Sequence, residues 1–139
     1  MTTLFLTKIL TATAAYFLLG LLWYSDLMFG PEWRKLKDKA TGKGKGKAAR
    51  KVSSLTGHAV TFLGMFLACL VMGILVVVTR ITGASDGALL GFVLGLTFIG
   101  TTMLSEAVYA KQPLGLFLIN ASYRVLGLAL AGSILAPWR

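Results

Sequence analysis

Hydrophobic positions along this chain come in long blocks, not in alternation with polar ones. The blocks cover about residues 4–24, 58–79, 87–109 and 114–137. Each is long enough to cross roughly 30 Å of hydrocarbon as a helix. The stretch from Arg80 to Asp86 is too short to do more than turn the chain, so the second and third blocks form an antiparallel hairpin. Ala110-Lys-Gln-Pro113 turns the third block into the fourth. Trp23-Tyr24 closes the first block and Trp138-Arg139 follows the last, as interfacial anchors do. No small-x-small cleavage site follows the first block, so it is expected as a retained helix and not a signal peptide. The pattern predicts an all-α integral membrane four-helix bundle, one membrane domain over residues 1–139.

Residues 26–57 are the long polar interruption. Pro31 suits a first helical turn. Trp33, Leu36 and Ala40 share a face flanked by Arg34, Lys35, Lys37 and Lys39, which predicts an amphipathic helix at the lipid headgroups. Gly42-Lys-Gly-Lys-Gly-Lys47 then reads as a flexible tether. It lacks the Gly-x4-Gly-Lys-Ser/Thr spacing of a phosphate loop.

Composition sharpens this picture. Of 139 residues 56% are hydrophobic and 14% charged, well below the charge of a soluble domain. The net charge of +9 is local, since most of the basic residues fall between Arg34 and Lys51. Those residues, with Lys43, Lys45, Lys47, Arg50 and Lys51, predict attraction to anionic lipid headgroups and a cytoplasmic position for the loop. Both termini are then expected on the non-cytoplasmic side. No aromatic platform accompanies the lysines, so no nucleic-acid partner is expected. The lone Cys69 leaves no disulfide within the chain.

Gly87, Gly91 and Gly95, followed by Thr102, Glu106 and Tyr109, fall within about a 100° arc of an α-helix. Small residues along one face let helices approach closely in lipid. Gly57, Thr61, Gly64 and Ala68 make a similar stripe in the second block. Asn120, Arg124, Gly127 and Ala131 repeat its spacing in the fourth. Gly20-x4-Ser25-Asp26-x2-Phe29 also matches Gly100-x4-Ser105-Glu106-x2-Tyr109, as two duplicated hairpins related by a parallel repeat would. Charges inside a bilayer tend to pair. Glu106 with Arg124 is expected as an ion pair that clamps helix register, with a proton or anion relay as the alternative, and Asp26 and His58, at a corresponding depth, could pair as well. His58 could also ligate haem, but Met65 and Met72 lie too deep on its own helix to serve as the second axial ligand. No cofactor or metal is therefore called for, and no residue pattern supports acid–base or nucleophilic catalysis.

Trp23-Tyr24-Ser25 with Phe29-Gly30 and Trp33, Gly100-Thr-Thr in the third block, and Leu116-Phe-Leu-Ile-Asn120-Ala-x-Tyr123 in the fourth resemble the domain of unknown function 1761 family of small four-span membrane proteins. The resemblance spans essentially the whole chain. It implies the four-helix fold and a bacterial inner membrane or an equivalent organellar one, and it carries no activity. Asp26 and Arg124 depart from it, since the family more usually has a small residue or proline at the first position and a neutral one at the second. The expected function is a non-enzymatic accessory or structural subunit that packs with itself or with other membrane subunits. The alternative is a small-solute or ion transporter or channel formed by dimerisation.

Overall fold

The computed structural model describes residues 2–41 and 54–138. Lys43, Lys45, Lys47, Arg50 and Lys51 lie outside the described residues, together with the tether and Arg139. The described chain is all helical. Helix α1 runs Thr2–Trp23, α2 Gly30–Thr41, α3 Ser54–Thr79 and α4 Ala84–Leu94. A π-helix, Gly95–Gly100, continues α4 directly into α5, Thr101–Tyr109, and α6 is Leu114–Leu135. Four spans are long and apolar enough to cross a membrane: Thr3–Trp23, Leu55–Thr79, Ala84–Tyr109 and Leu114–Leu135. The protein is a multi-pass all-α membrane bundle.

Helix α6 is the hub. It is the most buried of the four spans and touches every other helix. The core forms where it meets α1 and α3, around Ile9, Ala12, Tyr16, Met72, Leu128 and Ala131. Trp23 donates from Nε1 to the Ile119 carbonyl at 3.1 Å, and Tyr16 from its hydroxyl to the Arg124 carbonyl at 3.2 Å. These bonds give each aromatic polar tip a partner at membrane depth, where an unsatisfied group is costly.

The closest approach is between α4 and α6. A Cβ on Gly87 would run into the Gly132 carbonyl oxygen, and one on Gly91 into that of Leu128. At Gly95 it would lie 2.9 Å from the Val125 Cα. The two backbones therefore touch over two helical turns, which only residues without side chains permit. Gly127 is filled by the ring of Tyr16, and Ala131 is fully buried. The glycine-bearing stripes of α4 and α6 are thus both used within the chain.

The third span then changes face. A π-turn accommodates one extra residue, so everything after it is rotated by about 100° relative to a continuous α-helix. Thr102 and Glu106 are exposed and Tyr109 is 87% exposed, while Met103 is half-buried and Ala107 only 8% exposed. The single α-helical face expected through Gly87, Glu106 and Tyr109 is corrected by this one-residue shift. Threonines sustain the wide turn by donating to nearby carbonyls: Thr97 to Val93 at 2.7 Å, Thr102 to Phe98 at 2.7 Å, and Thr101 to Thr97.

On α3 the packed stripe is Met65, Cys69, Met72 and Val76. Ala68 packs beside it, half-buried. Gly64 has no atom within 4 Å of a Cβ position and faces outward, so it packs against no other helix of this chain. Without an aqueous face, the apolar side that meets protein and the apolar side that meets lipid look alike in sequence. The two stretches matched as a repeat also differ in backbone: residues 24–29 form turns, whereas 101–109 are helical.

Candidate functional site

The polar side chains gather at one end of the bundle, where α1 ends, α2 folds back and α6 begins. The turn between α1 and α2 is held by backbone bonds from Phe29 to the Trp23 carbonyl at 3.1 Å and from Gly30 to that of Ser25 at 3.0 Å. The Phe29 ring stacks on Trp23 with centroids 4.7 Å apart. This turn aims α2 at α6, and Leu36 sits against Gly115. Asp26 pairs with Arg34 at the exposed start of α2. The expected Asp26–His58 pair is therefore not formed. Arg34 is the nearer partner, while the His58 ring lies edge-on to Phe17 at 6.2 Å.

Asn120 is the centre of this end. Its Oδ1 accepts from the Tyr24 hydroxyl at 2.8 Å and from Trp33 Nε1 at 3.1 Å. With Oδ1 occupied twice, the Asn120 amide is held in one orientation. Tyr24 packs edge-on to Trp33 at 5.4 Å and to Tyr123 at 5.3 Å. Tyr123 donates to the Met65 sulfur at 3.8 Å. Lys37 stands over the Trp33 ring, its Nζ 4.4 Å from the centroid, a cation–π contact. Trp33 was expected at the headgroups; its bond to Asn120 makes it half-buried and part of the bundle. Arg34, Lys35, Lys37 and Lys39 are exposed.

Clefts surround this knot. One of about 740 Å³ lies between α1, α2, α3 and α6, with Phe17, Tyr24, Lys37, His58, Met65 and Arg124 among its walls. A second, of about 330 Å³, shares Tyr24, Trp33 and Arg124 and adds Glu106, Gln112 and Asn120. Glu106 and Arg124 therefore line one cleft, but the expected ion pair is not closed. Arg34 and Asp26 do form an ion pair within bonding distance. The rotation at the π-helix puts Ala107 in the buried position and leaves Glu106 exposed.

The sequence reading placed Asn120 in a stripe of the fourth block and in the family resemblance, and missed its two aromatic donors. The available signal was that Tyr24, Trp33 and Asn120 all fall within the stretches quoted for the family resemblance. A family model described as "Protein of unknown function (DUF1761)" matches residues 7–136, and the chain belongs to that family. No curated protein and no solved structure matches the chain.

Proposed function

We propose that this member of the family is a non-enzymatic membrane protein that works by packing against other membrane-embedded chains, either its own copies or subunits of a larger complex. In this reading it lies in a bacterial inner membrane or its organellar equivalent, with the basic loop toward the cytoplasm. The observation that carries the proposal is Gly64. It shares an exposed α3 face with Val60, Leu67 and Val71. A helical glycine costs about 1 kcal/mol relative to alanine, and here no contact within the chain requires one. In lipid, a notch between branched aliphatics lets a second backbone approach. A non-catalytic role is supported by where the interior reactive groups go. Thr13 bonds the Ile9 carbonyl at 2.7 Å, Cys69 is fully buried, and Tyr16 and Tyr123 are engaged in packing.

Gly64→Leu tests this, because the added side chain clashes with nothing in one chain. Native mass spectrometry of gently extracted complexes should show the multi-chain species lost while the single chain stays folded. Unchanged stoichiometry would overturn the reading. The cleft bearing Glu106, Asn120 and Arg124 favours the second reading, a dimeric transporter or channel. Flux that depends on Glu106 and Arg124 would establish it.

A further inference from the structure

We propose that the larger cleft binds the anionic headgroup of a membrane amphiphile, with Arg124 as its anchor. The ionisable side chains lining that cleft are Lys37, His58, Arg124 and the phenols of Tyr24 and Tyr123, with no carboxylate among them. Arg124 lies eleven residues past Pro113, about 16 Å along α6. A guanidinium at that depth needs a counter-charge. Among the described residues it has none in bonding distance, since Glu106 stands across the neighbouring cleft and the ion pair formed is Arg34–Asp26. Its backbone carbonyl accepts from the Tyr16 hydroxyl.

The walls specify an amphiphile and not a free anion. Phe17, Leu21 and Met65 are apolar, and His58 to Met65 spans about 10 Å of α3. Gly57 is part of the α3 wall, and no atom lies within 4 Å of a Cβ position there, which leaves room beside it. A headgroup can bind Arg124 while its chain leaves laterally into lipid. Its volume is within the range of ligand sites. This site is independent of the Gly64 face.

The test uses the full chain in zwitterionic detergent, offered phosphatidylglycerol and phosphatidylcholine in equal amounts and, separately, inorganic phosphate, with retention read by native mass spectrometry. Arg124→Gln removes the anchor. Thr61→Trp fills the cleft from an exposed position, and so keeps the test valid where Arg124→Gln does not fold. Arg34→Gln is the control, removing a basic residue outside the cleft. The expected result is one phosphatidylglycerol per chain, with retention falling about tenfold in both cleft variants, as for one lost charge-assisted contact, and unchanged in the control. Equal retention by all variants would overturn the proposal, leaving only attraction to the basic loop. Inorganic phosphate retained in place of the lipid would also overturn it.

Discussion

The two halves of the third span meet α6 in opposite ways. Above the π-helix, α4 lies backbone to backbone on α6 through Gly87, Gly91 and Gly132, a contact with no room for a methyl group. From the π-helix onward the span stands off: an apolar groove of about 500 Å³ runs from Phe92 at the end of α4 past Leu96 to Leu104, facing Phe117 of α6, and the polar cleft follows at Glu106 and Asn120. The first half is held by dispersion and shape, whereas beside the second half α6 is tied to Tyr24 and Trp33 by directed bonds to the Asn120 amide. One inserted residue separates them. A single span can therefore pack backbone to backbone at one end and stand off its neighbour at the other.

The largest effect should come from breaking the tight half. Gly91→Leu drives a side chain into the Leu128 carbonyl and should cost about 3 kcal/mol or more, read as loss of the thermal midpoint in detergent. Gly64→Leu, on the same kind of residue in open space, should stay within about 0.5 kcal/mol. A similar loss in both would erase the distinction between used and unused glycines.

Next comes the open half. Asn120→Ala leaves the Tyr24 hydroxyl and Trp33 Nε1 without their acceptor and should destabilise by about 2 kcal/mol. Tyr24→Phe, which removes one donor and leaves the other bond in place, should cost about 1 kcal/mol. In the double variant Tyr24→Phe with Asn120→Ala the losses should add to less than their sum, because both act on one bond. Full additivity would show that the Tyr24–Asn120 bond does not tie the end of α1 to α6.

The smallest effect sharpens the turn that follows α5. Lys111 has φ of 51°, and the bonds from Gln112 to the Ala107 carbonyl at 2.9 Å and from Lys111 to that of Val108 at 3.2 Å close a Schellman motif. Lys111→Gly should raise stability by about 1 kcal/mol by relieving the left-handed conformation, seen as a higher midpoint with α5 unchanged.

Much of the fold is legible in the sequence because its cause is local. Apolar runs set the spans, Pro31 sits in the first turn of α2, and the glycine trio at 87, 91 and 95 marks a close helix contact. What escaped depends on distant partners or on one backbone step. Asn120 meets Tyr24 and Trp33 across 96 and 87 residues, and no periodicity encodes such a pairing. The π-helix leaves only a faint trace, hydroxyls at Thr97, Thr101 and Thr102 between Gly95 and the exposed end of the span. On α3 the small stripe was easier to see than the buried Met65–Cys69–Met72–Val76 stripe beside it, although the latter packs the core.

The most direct measurement concerns the rotation at the π-helix. In a Cys69→Ala background, Glu106→Cys and Ala107→Cys place a thiol at adjacent positions near the end of α5, and their maleimide labelling rates can be compared in the membrane. The structure predicts rapid labelling at 106, which is exposed, and protection at 107, which is 8% exposed. The reverse order would mean that the span is a continuous α-helix with Glu106 on the glycine face, and it would contradict the separation of the bundle into a locked half and an open one.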